Sequence, residues 1–317
     1  MKIVFMGTPD FAAGALRALI AAGHEITAVV TQPDKAKGRS NKLVYTPVKE
    51  CALEHNIPVM QPRRIKTPEA IAQLKQYEAD VYVVAAFGQI LSQEILDMPK
   101  YGSLNIHASL LPKYRGASPI QHVIIDGEKE TGVTIMQMDA GIDTGDMLYK
   151  KTIAIEADDT YKSLHDKLMV LGGEAIVEAL QLLEEGALVP EKQEDALSCH
   201  APLISKDRGN IDFSKSAREI ERLIRGLNPW PSAFTSYKGK QLKIWDACVE
   251  AGDLEGIMTT EYLVPGTVKE VTKHTIKVVA GEGLLCINEL QLEGKKRMST
   301  HDFLLGVKVQ PGEVLGD

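Results

Sequence analysis

Cysteine is scarce in this chain of 317 residues, and the few cysteines present are widely separated. The four lie at Cys51, Cys199, Cys248 and Cys286, and none belongs to a CxxC pair. A structural zinc site needs closely spaced ligands, and a disulfide-stapled domain needs many cysteines in a short chain. The spacing therefore argues against both, predicts no metal site, and is typical of a reducing compartment such as the cytoplasm.

Long apolar runs and a positive net charge are also missing. A membrane helix needs about 18 or more consecutive apolar residues, and no run here reaches that length. The chain begins directly with the strand-like KIVFMG, which predicts no signal or transit peptide. We therefore expect a cytoplasmic protein that does not bind membranes. The formal net charge of −7 argues against nucleic-acid binding through overall charge, so any basic surface must be local.

The glycine-rich fingerprint of dinucleotide-binding proteins is absent as well. The turn after the first predicted strand reads GTPDFAAG, so Gly7 is followed by Thr8, Pro9 and Asp10 instead of GxGxxG. Asp10 would place a negative charge where a pyrophosphate should bind. Thr8 and Pro9 instead predict an N-cap and a first-turn proline for a helix. This turn argues against an oxidoreductase that uses a nicotinamide cofactor.

Apolar strand patterns alternate with helix patterns through the first two thirds of the chain. This alternation predicts an α/β fold with a doubly wound, mostly parallel, Rossmann-like sheet. After about residue 205 the pattern changes to short strands with glycine turns, including a hairpin at KGK, and a short terminal helix near THDFLLG. We expect a catalytic domain over residues 1–189, a linker over 190–208 and a β-rich domain over 209–317.

Two polar residues interrupt a strand that should be apolar, in the segment SLNIHASLLP. Asn105 and His107 alternate along this strand, so they share one face near its carboxyl end, where α/β sheets bind ligands. An amide and a cationic imidazole suit the stabilisation of an oxyanion, provided that a carboxylate keeps the imidazole protonated. Asp143, in the following loop MDAGIDTGD, is the candidate carboxylate. The alternative is a hydrogen-bonded core histidine and an ordinary Asp–Gly turn.

One short segment is strongly basic despite the negative net charge. QPDKAKGRSNK contains Lys35, Lys37, Arg39 and Lys42, with no acidic residue between them. Such a loop can bind phosphates and become ordered on binding. The alternative is a solvated charged loop.

The motifs together resemble a known enzyme family. NIHASLLPKYRGASPIQ followed by TGVTIMQMDAGIDTGDML is similar to the signature of the formyltransferases that depend on 10-formyltetrahydrofolate. KIVFMGTPDFA, TQPDKAKGR, NPWP and GKKRMS further resemble the members that act on an initiator tRNA. The resemblance covers essentially the whole chain. It implies the formyltransferase fold with a C-terminal OB-like β-barrel that binds tRNA.

The resemblance also implies an activity and a set of residues. The enzyme would transfer the formyl group of 10-formyltetrahydrofolate to the α-amine of methionine on initiator tRNA, with Asn105, His107 and Asp143 as the catalytic residues. The residues call for no metal, and nothing in the sequence demands more than a monomer. The residues that match the family's folate site are Ser109, Leu110, Leu111 and Pro112 in one wall and Phe87, Gly88, Gln89, Ile90 and Leu91 in the other. The family often has proline where Ser92 stands, so the outline of the second wall is open.

For the tRNA, the resemblance implies that the basic loop of Lys35, Lys37, Arg39 and Lys42 enters the acceptor stem. Arg39 matches the residue that recognises the weak end of an initiator, and RNA helices are read mainly at such unstacked ends. Three groups of cations in the C-terminal part could also track phosphates: Lys238, Lys240 and Lys243; Lys295, Lys296 and Arg297; and Arg218, Arg222 and Arg225. Two alternatives stay open: the same chemistry on glycinamide ribonucleotide or an amino-sugar nucleotide, and a folate-binding module without catalysis.

Overall fold

The chain folds into two compact units. The computed structural model describes residues 1–37, 42–250 and 264–316. The first unit, here called the α/β unit, comprises Met1–Pro119, Glu130–Ala154 and His165–Pro202. The second, here called the β unit, comprises Ile120–Lys129, Ile155–Leu164 and Leu203–Asp317. Both units are assembled from separate stretches of chain, and the domain bounds 1–189, 190–208 and 209–317 stay a prediction.

The secondary structure follows the two patterns seen in the sequence. The strands, in chain order, are β1 (Lys2–Gly7), β2 (Glu25–Val30), β3 (Lys35–Lys37), β4 (Lys42–Val44), β5 (Val59–Met60), β6 (Val81–Ala85), β7 (Ser103–His107), β8 (Glu130–Gln137), β9 (Met147–Ala154), β10 (Ala233–Tyr237), β11 (Lys240–Val249), β12 (Val268–Val271), β13 (Ile276–Val279), β14 (Leu284–Leu292) and β15 (Met298–Ser299). The helices are α1 (Asp10–Ala21), α2 (Pro47–Glu54), α3 (Pro68–Leu74), α4 (Gln93–Leu96), α5 (Pro119–Asp126), α6 (Tyr161–Glu184), α7 (Ala217–Gly226) and α8 (Thr300–Gly306). None of the described helices is both long and apolar enough to cross a bilayer.

The α/β unit is built on a seven-stranded sheet in the order β5-β2-β1-β6-β7-β8-β9. The pairs from β5 to β7 are parallel, and β8 and β9 are added antiparallel at one side. Strands β1 and β6 are almost entirely buried, as expected for parallel strands covered on both faces. The prediction of a mostly parallel, Rossmann-like sheet is confirmed, and β7 lies inside this sheet.

Two helix starts in the α/β unit show the capping chemistry of a Thr–Pro pair, and a third, where the sequence predicts a cap at Thr8, departs from it. Thr46 and Thr67 each accept a hydrogen bond from the third helical N–H, ahead of a first-turn proline. At α1 the expected cap at Thr8 is wrong, because Pro9 is the N-cap and no side chain caps it. The Thr8 hydroxyl instead donates to the carbonyl of Phe87, at 3.2 Å, and so holds the loop after β6.

The β unit contains an antiparallel sheet in the order β10-β11-β14-β13-β12, with β15 paired to β14. The predicted hairpin at KGK is confirmed, with Tyr237 opposite Lys240. Lys238 and Gly239 form its two-residue turn with φ of 51° and 71°, the left-handed values of a type I′ turn. Alternate residues of β10 point into a core with Ile220 of α7 and Phe303 of α8. The prediction of a β-rich C-terminal region is confirmed, as is the short terminal helix.

Candidate active site

Strand β7 presents Asn105 and His107 near its carboxyl end. Asn105 lies opposite Val84 of the parallel strand β6, and His107 lies opposite Thr134 of the antiparallel strand β8. The other residues of β7 are buried, while Asn105 is partly exposed. Among the described residues, the Asn105 amide has no hydrogen-bond partner. The middle of the sheet therefore carries a polar group that is free to bind something else.

His107 is held by one ring nitrogen and faces a carboxylate with the other. Nε2 lies 2.9 Å from the carbonyl oxygen of Tyr114, which can only accept, so Nε2 carries a proton and donates it. Nδ1 lies 3.7 Å from Oδ2 of Asp143. The two side chains are only 6% and 18% exposed, so their interaction is weakly screened by solvent. Nδ1 thus faces the carboxylate at a separation longer than a hydrogen bond, so it is not committed to Asp143 by a direct bond.

The loop between β8 and β9 brings Asp143 to His107. Asp143 Oδ2 accepts the backbone N–H of Gly116, at 2.8 Å, and Asp143 itself has φ of 54°. A Cβ on Gly145 would come within 1.8 Å of the Gln137 carbonyl oxygen, so this position requires glycine. The loop thus folds tightly back toward the carboxyl end of β7, where the sequence predicted that Asp143 would lie.

The SLLP segment after β7 is fixed by hydrogen bonds and is only partly available to a ligand. Thr134 Oγ1 donates to the Ser109 carbonyl, at 2.7 Å, and accepts the N–H of Leu111, at 3.1 Å. Ser109 Oγ donates to the carbonyl of Lys113. Leu111 is 2% exposed, whereas Leu110 and Pro112 are partly exposed. Leu111 therefore packs in the core, and its two neighbours offer the apolar surface.

The core contacts of Leu111 are two methionines of the adjoining strands. Leu111 forms a small buried cluster with Met136 of β8 and Met147 of β9. This packing fixes the SLLP segment on the sheet through its buried residue Leu111.

The other predicted wall, Phe87–Leu91, follows β6. Phe87 and Leu91 are buried and Ile90 is 67% exposed, so Ile90 offers the apolar surface here. Gly88 adopts φ of 78°. Gln89 accepts the N–H of Ile65 with Oε1, at 2.7 Å, and donates from Nε2 to the Pro62 carbonyl. These bonds hold the wall to the segment that follows β5.

Ser92, which stands where the family often has proline, directly follows this wall. It is the N-cap of α4 but makes no side-chain capping bond. Its buried hydroxyl has no hydrogen-bond partner within the described part of the chain. The substitution thus leaves the course of the chain into α4 without a side-chain anchor.

The described residues of the basic segment lie on two short paired strands, here called the basic hairpin, and Gly38 to Asn41 lie outside the described residues. Strands β3 and β4 pair antiparallel, with Lys37 opposite Lys42, and Lys35 is exposed. Arg39 lies outside the described residues. At the base of the hairpin, the Lys49 ammonium and the Gln61 amide hold the pKa of Asp34 below its usual range. The chain that leads into β3 is therefore anchored at Asp34, just before the basic residues begin.

The cation groups of the β unit make local pairs. Arg225 forms an ion pair with Glu221 and donates to the Asp159 carbonyl, at 2.7 Å. The helix arginine at this position is therefore tied to its own unit. Arg297 pairs with Glu289 and lies 4.7 Å from the centre of the Trp245 ring. Such pairing lowers the number of charges that are free for phosphates.

Sequence reasoning missed one residue that contacts the Asp143 loop and a second residue that holds the first. Gln193, in the segment predicted as a linker, donates to the carbonyls of Asp143 and Gly145, at 2.9 and 2.8 Å. Arg115, which is 5% exposed, donates from Nε to the side-chain Oε1 of Gln193, at 2.9 Å. No local pattern marks Gln193, because its partner is fifty residues away along the chain. A search of the described residues finds no group of three or more histidines, cysteines or carboxylates placed to hold a metal ion.

The fold is that of a formyl-transferring enzyme. The chain belongs to the formyl transferase family, because the sequence model of formyl transferase matches residues 1–180 and that of the formyl transferase C-terminal domain matches residues 203–308. Similar proteins over the full length of the chain carry a more specific name within this family. A methionyl-tRNA formyltransferase of Lachnospira eligens is 52% identical over 317 residues, covering 100% of both chains. One of Geobacter metallireducens is 51% identical and covers 100% of this chain and 99% of its own.

A solved structure is similar in fold. The N-formyltransferase from Helicobacter canadensis, in complex with folinic acid and dTDP-3-aminofucose, has a TM-score of 0.65 and 21% identity. The match covers 94% of this chain and 100% of that chain. This likeness extends over both units of the present structure.

Proposed function

We propose that the chain transfers the formyl group of 10-formyltetrahydrofolate to the α-amine of methionine on initiator tRNA. The observation that carries the proposal is the approach of Asp143 Oδ2 to His107 Nδ1, at 3.7 Å. His107 lies on the strand that also holds the Asn105 amide, which has no hydrogen-bond partner among the residues that the structure describes. This set suits a reaction that passes through an oxyanion. The acceptor is supported by the full-length likeness to methionyl-tRNA formyltransferases.

In the proposed reaction, the neutral α-amine attacks the formyl carbon, a C–N bond forms and the formyl oxygen becomes an oxyanion. The Asn105 amide and the Nδ1–H of His107 donate to this oxygen. Asp143 keeps Nδ1 protonated and, through water, accepts the proton that the amine loses. When the intermediate collapses, the bond from the formyl carbon to the folate nitrogen breaks, and that nitrogen takes the proton. The products are formylmethionyl-tRNA and tetrahydrofolate.

The folate would lie between the two apolar walls. On the first wall, Leu110 and Pro112 supply its surface, with Ser109 and Leu111 supporting them from the buried side. On the second, Ile90 is the exposed side chain, and the backbone of Gly88 and Gln89 offers polar groups to the pterin, over the buried Phe87 and Leu91. Apolar walls with a few fixed polar groups are the usual design of a site for a flat ligand.

The tRNA would be bound by the basic hairpin through Lys35, Lys37, Arg39 and Lys42, and by the β unit. What supports this is the local excess of cations on an anchored base in a chain of net charge −7. We further propose that the enzyme works as a monomer in the cytoplasm, away from membranes. The four cysteines are free, which fits a reducing compartment. Light scattering at the mass of one chain is the expected result.

One assay tests the proposed function. Purified protein is given 10-formyltetrahydrofolate and, in parallel, methionyl-initiator tRNA, glycinamide ribonucleotide or an amino-sugar nucleotide, and the formylated product is measured. We expect transfer to the tRNA, weakened as salt is raised because phosphate contacts are screened. Formyl transfer only to one of the other two acceptors would support the formyl-transfer reaction but refute tRNA as its acceptor. Folate binding without transfer to any acceptor would refute both.

A further inference from the structure

The conformation of Asp143 needs support from outside its own loop. Its φ of 54° lies in the left-handed region, which a residue with a side chain occupies at an energetic cost. Such a conformation persists where surrounding structure determines it. Within the loop, Asp139 accepts the N–H of Gly141 and the Thr144 hydroxyl, but among the described residues it makes no hydrogen bond to Asp143. The support must therefore come from another segment.

Gln193 supplies that support. Its Nε2 donates to the carbonyl of Asp143, at 2.9 Å, and to the carbonyl of Gly145, at 2.8 Å. One amide group thus bridges the two residues on either side of Thr144. The Asp143 carbonyl belongs to the peptide unit between residues 143 and 144. A hydrogen bond to this carbonyl therefore fixes the orientation of that peptide unit and restricts the backbone rotation that would turn the carboxylate away from His107.

The segment that carries Gln193 is itself anchored to the α/β unit on both sides. Before it, Glu191 and Met147 exchange two backbone hydrogen bonds of 2.8 Å. After it, Arg115 accepts from Ala201, at 2.7 Å, and donates its N–H to Cys199, at 2.9 Å. Gln193 is therefore held between two fixed points, which a free linker would not provide.

Arg115 determines which way the Gln193 amide points. The buried guanidinium donates from Nε to the Gln193 Oε1, at 2.9 Å, and from Nη1 to Asp195, at 2.9 Å. A guanidinium can only donate, so the oxygen of the amide must face Arg115. The NH₂ group is then directed to the two carbonyls of the Asp143 loop, and the flipped amide is disfavoured.

We infer that Gln193 is a positioning residue that holds Asp143 against His107, with Arg115 orienting its amide. The inference rests on the proposed function, because Asp143 acts there as the carboxylate partner of His107. It gives the segment predicted as a linker a part in building the site.

The test variant is Gln193→Glu, which keeps the acceptor for Arg115 and removes both donors to the loop. A misplacement of about 1 Å at a reacting group can cost roughly a hundredfold in rate. We expect kcat for tRNA formylation to fall about ten- to a hundredfold, while KM for 10-formyltetrahydrofolate changes less than about threefold. Gln181→Glu is the matched control, since the side chain of Gln181 lies on the exposed face of α6 and, within the described ranges, bonds only to Glu185. An unchanged kcat in Gln193→Glu would overturn the inference.

A double-mutant cycle separates positioning from a general structural role. Asp143→Asn is the second variant, because asparagine tolerates the left-handed conformation. If Gln193 acts through Asp143, Gln193→Glu should cause little further loss in the Asp143→Asn background. If the fold-loss in kcat of the double variant equals the product of the two single fold-losses, Gln193 acts independently of Asp143, and the positioning role is refuted.

A readout without catalysis keeps the two proposals apart. The N–H of Gly116 donates to the Asp143 carboxylate, at 2.8 Å, so its hydrogen exchange reports where that carboxylate is. We expect faster exchange at Gly116 in Gln193→Glu, and also in Gln193→Met, than in the parent and in Gln181→Glu. Equal exchange in all four would refute the clamp. A parent protein that does not formylate tRNA, but shows the exchange difference, would refute only the proposed function.

Discussion

Strand β7 of the α/β unit and the sheet of the β unit differ in how polar side chains are paired. Strand β7 carries an amide without a hydrogen-bond partner in the described part of the chain and an imidazole beside a carboxylate. In the β unit, Lys277 of β13 lies between Glu250 and Glu270, and Lys238 of the β10–β11 turn contacts Glu313. The candidate site leaves an interaction open, whereas these charged groups of the β unit are paired.

This difference indicates which polar groups serve a reaction and which serve the stability of the fold. A polar group on a buried strand costs free energy unless it is satisfied, so an unsatisfied one points to a ligand or a reacting atom. The pairs around Lys277 raise its pKa, first through the hydrogen bond to Glu250, and keep it charged. Substitutions in the α/β site should therefore change turnover with little effect on folding, whereas those in the β unit should change stability.

The strongest test of this comparison is Asp143→Asn. The change keeps a residue that accepts the Gly116 N–H and tolerates φ of 54°, but it removes the charge beside His107. We expect kcat to fall about 100- to 10,000-fold, the scale of a lost acid–base group, with unchanged thermal unfolding. Asp139→Asn, in the same loop, is the control and should lose far less. Near-normal turnover in Asp143→Asn would remove it from the mechanism.

The second test is Ile287→Ala in the core of the β unit. Ile287 is fully buried on β14, opposite Ile276 and Ala247. The cavity should lower the free energy of unfolding by about 2–5 kcal/mol, measured by denaturant titration. Leu305→Ala, at a side chain 77% exposed, should change it by about 0.5 kcal/mol or less. Equal effects of the two variants would contradict the assigned core.

The smallest effect concerns Glu313. The hydrogen bond from Lys238, assisted by Tyr237, lowers the pKa of this carboxyl. A lowered pKa means stability that is present above the unfolded pKa and lost as pH falls through the folded value, which here lies below the ordinary pKa of a glutamate. Glu313→Gln should therefore be less stable than the parent by about 1 kcal/mol or less at pH 7. A difference that persists in full at about pH 2.5 would show that the ion pair is not its cause.

Local patterns predicted much of the fold. The type I′ hairpin at Lys238 and Gly239 follows from residues that are adjacent in the chain, as do the caps at Thr46 and Thr67. Thr8 broke the same rule because a distant carbonyl, that of Phe87, competed for its hydroxyl. The cap prediction fails where a tertiary partner is available, and no local pattern reports such a partner.

In the candidate site, too, some residues were placed correctly by a local pattern and others were decided by tertiary packing. The alternation of strand residues placed Asn105 and His107 on one face, because a period of two is a local property of an extended chain. The resemblance supplied Leu111 with its neighbours as a ligand wall, yet packing against Met136 and Met147 buries it. Whether an apolar residue of a loop faces the core or a ligand depends on what the sheet places below it.

The sequence by itself determined the pattern of strands, the polar face of β7, the turn chemistry and the glycines that allow a tight loop. Only the tertiary structure decided which ring nitrogen of His107 meets Asp143, since Nε2 is occupied by the carbonyl of Tyr114. It also decided that Gln193 clamps the loop from fifty residues away. The physical reason is the same in both cases. Each contact depends on where two separate stretches of chain come to lie, and the rules that act along a strand or turn do not reach that far.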